Sequence, residues 1–443
     1  MFTETLTPAE RVREIIGKNM LADGFQLVLD LKNSFRNKIV DERNGNQYID
    51  LFTFFASSPL GMNHPKLNSY EVKEILGSVA VNKPSNSDIY TIHMAEFVQT
   101  FSRVAKPDFM KYLFFVDGGA LAVENGLKVA FDWKVKKNFK KGYKTERGQQ
   151  VIHFREAFHG RSGYTMSLTN TDPNKIQYFP KFNWPRILNP KITFPLEQHI
   201  DNVTAMEKKA ISEIKSVIKI NPDDIAVLII EPIQCEGGDN FFRKEFFKEL
   251  RTITEENEIL LMFDEVQTGF GLTGKFWAFQ HYDVKPDIVA FGKKAQQCGI
   301  MVSDRIDDIE DNCFHVSGRI NSTWGGNLVD MVRSTYIMNI IDEENLVDNA
   351  AKRGKYLMNR LEEIQQKFPK LVSSVRGLGL LCSFDMPNKE ARNEFRKIAE
   401  KEKLLILGCG NKSIRFRPML NITDDELEEG LQVIKKVLRI MSS

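Results

Sequence analysis

The chain has 443 residues, 42% of them hydrophobic and 27% charged. That is ample for a core and too much for one simple core, so two lobes are expected. Its 61 basic and 59 acidic residues leave a net charge of +2, a balance with no footprint for nucleic acid or an anionic membrane.

The N-terminal stretch "MFTETLTPAERVREIIG" lacks the apolar core of a signal peptide, and no run approaches the roughly 18 apolar residues of a membrane span. Residues 37–52, "NKIVDERNGNQYIDLF", read as a hairpin turning at Asn44-Gly45. From about residue 75 to 335 short apolar runs recur: "YLFFV" (112–116), "VIHF" (151–154), "IAVLII" (225–230), "ILLMF" (259–263) and "IVAF" (288–291). Their apolar residues are consecutive, not alternate, which is the pattern of strands covered on both faces in a parallel sheet. Segments such as "ALAVENGLKVAFDWKVKK" and "FFRKEFFKELRTITEEN" carry apolar residues at helical spacing between them. The fold class is therefore α/β, with a mostly parallel central sheet. The basic run 134–144, "KVKKNFKKGYK", reads as a solvated helix end and loop. Beyond 335, helices are expected near 345–368 and 424–441, with strands at "GLLCSF" and "SIRFRP" between them. The hairpin and this C-terminal part suggest a small α+β domain built from both termini: 1–75, then a large domain over 76–335, then 336–443. The five cysteines (Cys235, Cys298, Cys313, Cys382, Cys409) are scattered, odd in number and without a CxxC pair. Neither a disulfide framework nor a metal site is expected, and a reducing, cytoplasmic setting is.

In an open parallel sheet, ligands bind at the carboxyl ends of the strands. "YLFFV" runs into Gly118-Gly119-Ala120, "VIHF" into Phe158-His159-Gly160-Arg161, and "IAVLII" into Glu231 and then Glu236. "ILLMF" ends at Asp264 and Gln267, and "IVAF" at Gly292-Lys293-Lys294. Any one of these alone is equally a turn, a cap or a surface ion pair; five at one end compose a site. A strand-end lysine, a buried carboxylate, glycine-rich helix-opening amides and an aromatic face are what pyridoxal 5′-phosphate needs. The lysine amine forms a Schiff base, the carboxylate keeps the pyridine nitrogen protonated, the amides take the phosphate and the aromatic holds the ring flat. The rival motif "GFGLTGKF" (269–276) puts Phe276 where a P-loop needs Ser or Thr, and runs on from the same strand that would supply its acidic partner. No GxGxxG follows any strand.

The stretch "LLMFDEVQTGFGLTGKFWAFQHYDVKPDIVAFGKK" resembles the signature of the class-III (ω-) aminotransferases, fold-type-I pyridoxal-phosphate enzymes. The likeness runs from "YIDLFTFFASSPLGMNHP" to "SIRFRPML". Through "EAFHGRSGYTMSLTNT", "EPIQCEGGD", "FGKKAQQCG" and "STWGGNLVDMVR" it is similar to the branch that acts on the ε-amine of lysine. The resemblance implies that Lys293 forms the Schiff base, with Lys294 the runner-up; Gln297 departs from the family, which has a small residue there. It further implies that Asp264 pairs with the pyridine nitrogen, Gln267 reaches the ring hydroxyl, Gly119 and Ala120 bind phosphate, and Phe158 stacks on the ring. Thr323 would complete the phosphate cup from the neighbouring subunit of a homodimer. Arg161 would hold the distal carboxylate of either substrate and Arg415 the α-carboxylate of 2-oxoglutarate, while Glu236 neutralises Arg415 when L-lysine binds. The implied reaction is ping-pong transfer from L-lysine to 2-oxoglutarate, with 4-aminobutyrate or ornithine as alternative donors.

Overall fold

The computed structural model describes residues 7–442, so the first six residues of the N-terminal stretch lie outside the described residues. Strands β1 (Lys38–Val40) and β2 (Gln47–Asp50) pair antiparallel, Val40 opposite Gln47. Gly45, in the loop between them, takes φ +71° and donates its N–H to the Asp41 carbonyl at 2.8 Å. A residue with a side chain would be strained in that conformation.

Seven strands build the central sheet: β3 (Met110–Val116), β4 (Gln150–Phe154), β5 (Arg186–Ile187), β6 (Ile225–Ile230), β7 (Leu260–Asp264), β8 (Ile288–Phe291) and β9 (Cys298–Ser303). Their order is β3-β9-β8-β7-β6-β4-β5. β4 to β8 run parallel, and β9 is antiparallel to both neighbours, β8 and β3. Successive side chains enter opposite cores. Val227, Ile229, Leu260, Met262, Ile288 and Ala290 pack with the helix Gly119–Lys140 on one face. Leu228, Ile230, Leu261, Phe263, Val289 and Phe291 pack with Phe246 and Phe247 of the helix Lys244–Glu256 on the other. With both faces covered, the strand interiors are almost entirely apolar, and Asp264 enters only at the carboxyl end of β7.

The basic run departs from its expected solvation. Lys134 is fully buried, because the following loop folds back over it, and its Nζ donates to the Glu258 carbonyl at 2.8 Å. Lys137 and Lys141 pair with Asp308 and with Asp223 and Glu258.

The two expected C-terminal helices run Leu346–Lys367 and Asp424–Ser442. Between them lie β10 (Ser373–Leu378), β11 (Leu381–Asp385), β12 (Leu404–Leu405), β13 (Leu407–Cys409) and β14 (Ser413–Phe416). Four of these form an antiparallel sheet, β10-β11-β14-β13; β12 instead pairs in parallel with β2, so both ends of the chain meet in one α+β unit.

Arg417, one residue past β14, joins this unit to the central sheet. It is 1% exposed, its Nη1 and Nη2 pair with the fully buried Asp239 beyond β6, and its Nε donates to Gln267 Oε1 beyond β7 at 3.1 Å. Asp239→Ala leaves that guanidinium charge buried and unmatched, and should lower unfolding free energy by roughly 3–5 kcal/mol. Denaturant titration checks this; a loss below about 1 kcal/mol would mean the pair is not what holds the junction.

Candidate active site

Five strand ends open into one cavity of about 520 Å³. Gly119 and Ala120 line it after β3, Phe158, His159 and Gly160 after β4, and Glu231 and Glu236 after β6. Asp264 ends β7 and Gln267 follows it, Lys293 and Gln296 come from the turn between β8 and β9, and Cys298 opens β9.

That turn decides which lysine faces inward. Lys293 takes φ +51° and Gln296 φ +60°, left-handed conformations that cost residues with a Cβ of order 1–3 kcal/mol each. Gly292 is pressed against Cys298, whose Sγ would lie 2.8 Å from an added Cβ. The reversal projects Lys293 into the cavity, where burial, and next the charge of Arg415, brings its pKa down to about 8. Lys294 turns the other way. It is 2% exposed and donates to the carbonyls of Gln267 at 2.8 Å and Ala56 at 3.3 Å, and burial brings its pKa down to about 7. Ala56 closes the turn Thr53–Ala56, in which all residues have positive φ. Such a left-handed turn persists only when its surroundings impose it. Asp50 Oδ1 accepts the Thr53 N–H at 2.8 Å, Lys294 holds Ala56, and Gln296 Nε2 holds the Ser57 carbonyl at 2.7 Å.

Asp264 ends β7 only 5% exposed, its Oδ2 2.8 Å from His159 Nδ1 and its Oδ1 accepting the Val266 N–H at 3.1 Å. Glu231 accepts the Phe158 N–H at 2.9 Å; burial, and next the charge of Asp264, pushes its pKa well above the usual carboxylate range. The helix Gly119–Lys140 points its N-terminus into the cavity, and its first-turn amides have no helical carbonyl to pair with. Backbone approaches backbone closely there: at Gly160, φ +122°, an added Cβ would sit 2.5 Å from Ala120 Cβ.

Arg415 projects from β14, 2% exposed. Its Nη2 lies 3.0 Å from Glu236 Oε2 and its guanidinium carbon 5.9 Å from the Phe55 ring centre; Nε and Nη1 are buried without a hydrogen-bond partner. Burial pushes the Glu236 pKa up, but Arg415 and Lys175 outweigh it and hold the carboxyl below its ordinary value.

Three expected site residues do not line the cavity: Arg415, which meets it through Glu236, and Arg161 and Thr323. Arg161 is exposed, one residue past Gly160. Thr323 is also exposed, its carbonyl accepting from Ser85 Oγ at 2.6 Å. Gln297 fills its place by bridging: its Nε2 donates to the Val116 carbonyl at 2.9 Å, and its Oε1 accepts the Asn327 N–H at 2.8 Å. Sequence reasoning missed Lys175, whose Nζ is 2.6 Å from Glu236 Oε1, and Arg417. Arg417 had a signal, since residues two apart along a strand share a face and Arg415 was already singled out; Lys175 had none.

The family model of the class-III aminotransferases ("Aminotransferase class-III") matches residues 24–438. The chain belongs to the class-III aminotransferases. It is 47% identical to an L-lysine-epsilon aminotransferase of Mycobacterium tuberculosis, over 98% of this chain and 97% of that one. It is 31% identical to the mitochondrial 4-aminobutyrate aminotransferase of Homo sapiens, over 98% and 90%. The solved lysine aminotransferase from M. tuberculosis, in its internal aldimine form, superposes with a TM-score of 0.96 at 47% identity, covering 98% of this chain and all of that one.

Class-III aminotransferases are pyridoxal-phosphate enzymes. The cavity fits that cofactor in its own chemistry. It offers an amine of lowered pKa, a buried carboxylate, an aromatic face, and a helix N-terminus whose glycine-lined approach a Cβ would fill. Among the described residues no cluster of His, Cys, Asp and Glu could hold a metal ion, and no helix is long and apolar enough to cross a membrane.

The orientation of the two lysines is testable without turnover. In cofactor-free protein at pH 8, trinitrobenzenesulfonate should modify Lys293 ahead of surface lysines, because a pKa near 8 leaves about half of its amine neutral. Lys294, despite its lower pKa, should stay unmodified while the fold is intact. Peptide mapping that found Lys294 labelled first would reverse the assignment.

Proposed function

We propose that this aminotransferase moves the ε-amino group of L-lysine onto 2-oxoglutarate. The products are L-glutamate and 2-aminoadipate 6-semialdehyde, which cyclises to a piperideine carboxylate. The observation that carries the reading is the Arg415–Glu236 pair: a buried guanidinium with two unsatisfied nitrogens, closed by a carboxylate that is 27% exposed. A 2-oxo acid carries a carboxylate beside the reacting carbon, which bidentate pairing to Arg415 suits. The ε-end of lysine carries none, and an unmatched Arg415 would then be costly. Glu236 neutralises Arg415 for the donor and swings aside for the acceptor. Such a gate also serves 4-aminobutyrate, the donor named for the human relative; 47% against 31% identity favours lysine.

Bound pyridoxal 5′-phosphate supplies the electron sink that makes the donor carbon acidic. In this reading Lys293 holds the cofactor covalently at rest, and its freed amine takes the proton from the lysine ε-carbon, a role suited to a group whose pKa lies near 8. Asp264 keeps negative charge at the ring nitrogen, oriented by its hydrogen bond with His159. Gly119 and Ala120 bind the phosphate through their amides, Phe158 stacks on the ring and Gln267 reaches its hydroxyl. Arg161, exposed beside the cavity-lining Gly160, would turn inward to receive the distal carboxylate of both substrates.

The enzyme is proposed to be a homodimer in which Thr323 of the partner subunit completes the phosphate site. The support is an exposed apolar face: Val81, Ile89, Tyr90 and Ile92 are each more than 70% exposed, a combination uncommon on a monomer. Ser85, Asn86 and Ser87, inside that segment, hydrogen-bond the carbonyls of Thr323, Trp324 and Ser322. The cytoplasm is the proposed setting, consistent with five unpaired cysteines. Residues 76–335 are taken as the cofactor-binding domain, with 1–75 and 336–443 as the small domain.

With 2-oxoglutarate as acceptor, L-lysine should exceed L-ornithine and 4-aminobutyrate in kcat/KM by roughly tenfold or more. Product trapping with 2-aminobenzaldehyde identifies the cyclised semialdehyde; 4-aminobutyrate as the best donor would overturn the lysine reading. The shared site predicts complementation. Hybrids of Lys293→Ala and Thr323→Ala subunits should regain one intact site per dimer and about half the wild-type activity. No gain over the parent variants would place Thr323 in its own subunit's site.

A further inference from the structure

Glu236 is held by two cations, and only one belongs to the gate as described so far. Its Oε2 faces Arg415 Nη2 at 3.0 Å, and its Oε1 faces Lys175 Nζ at 2.6 Å. We propose that Lys175 is a positioning residue that retains Glu236 when it leaves Arg415, and so sets how readily the site admits a dicarboxylate. The inference rests on the gate described under Proposed function.

Lys175 ends the short turn Pro173–Lys175, opened by Asp172, whose Oδ1 accepts the Asn174 N–H at 3.0 Å. Its ammonium lies 5.3 Å from the centre of the Phe158 ring, at the cavity wall, with Thr171 Oγ1 3.5 Å away. Arg415 is 2% exposed, whereas Lys175 and Glu236 are 26% and 27% exposed, so the interior cation faces a part-exposed acid that a second, part-exposed cation also holds. The Glu236 carbonyl accepts the Gly410 N–H at 2.9 Å, which fixes the backbone and leaves the side chain to move.

The energetic consequence differs between the two positions of Glu236. Facing Arg415, the carboxylate has both cations, and losing Lys175 removes the more exposed of two contacts. Swung aside for 2-oxoglutarate, it has Lys175 alone, and losing Lys175 leaves a part-buried carboxylate unmatched. Lys175 therefore stabilises the acceptor-ready arrangement more than the donor-ready one. Removing it should penalise dicarboxylate binding, the opposite half-reaction from the one that loss of Glu236 penalises.

The test uses the holoenzyme and measures binding as well as turnover. Lys175→Met keeps the aliphatic stem and removes the charge. It should raise the Kd for glutarate, an unreactive dicarboxylate, and the KM for 2-oxoglutarate by about tenfold, and change the single-turnover lysine half-reaction less than about twofold. Lys175→Arg should restore both. Added to Glu236→Gln, Lys175→Met should have no further effect on glutarate, because a neutral amide needs no retaining cation; a direct pull of Lys175 on the dicarboxylate would persist there and overturn the role. Equal losses in both half-reactions for Lys175→Met, with Glu236→Gln still selective for the lysine half, also overturn it and leave the gate standing. Equal losses for Glu236→Gln remove the gate and the role of Lys175 together.

Discussion

Four cations, Lys293, Lys294, Arg415 and Arg417, are packed where the central sheet meets the C-terminal strands, and the burial of their charge constrains everything around them. Each is relieved differently. Arg417 is matched outright by Asp239, with both side chains essentially inaccessible. Lys294 donates to two backbone carbonyls, and burial brings its pKa down to about 7. Arg415 is matched on one edge by Glu236 and left open on the other. The Lys293 amine makes no hydrogen bond among the described residues, and burial brings its pKa down to about 8. The less a cation is satisfied by the fold, the more it is available to a ligand, and the order runs from the paired Arg417 to Lys293, the lysine proposed to hold the cofactor.

Strands β4, β6, β7 and β8 could be read from sequence because burial on both faces leaves unbroken apolar runs; the two-residue β5 carries no such run. The same logic hid β9. It opens with Cys298-Gly299, which reads as a break, yet Gly299 is required where it sits: an added Cβ would lie 2.3 Å from the Phe114 carbonyl oxygen and 2.9 Å from the Phe291 ring. The strand-end residues were legible as a group because topology alone brings the carboxyl ends of parallel strands together. Which of the two adjacent lysines turns inward was not decidable from spacing alone. It depends on the left-handed backbone at residues 293 and 296, a local conformation that no residue type there announces.

Contacts made by single side chains across long separations were beyond sequence reading. Lys175 and Glu236 are joined by no periodicity, and the loop carrying Lys175 has no apolar pattern to anchor a prediction. Gln297 is the converse. It looked like a departure from the family, but it occupies the space against Gly326 and ties the loop behind Thr323 to the end of β3. A larger residue there does not obstruct the turn, because its amide meets three backbone groups otherwise left without side-chain partners.

Arg415 and Arg417 show how one motif yields two different devices. They lie two residues apart at the end of one strand, each facing an acid from the loop after β6, Glu236 and Asp239. Asp239 is fully enclosed, so its pair has no competitor and acts as a rivet between the two parts of the chain. Glu236 retains 27% of its side-chain exposure, so in the proposed gate an incoming carboxylate would compete for Arg415 while the displaced acid kept Lys175. Strength alone would not distinguish them, since both are arginine–carboxylate pairs. The difference is the access of water and ligand to the anion: depth along one loop separates the enclosed pair from the one proposed to exchange.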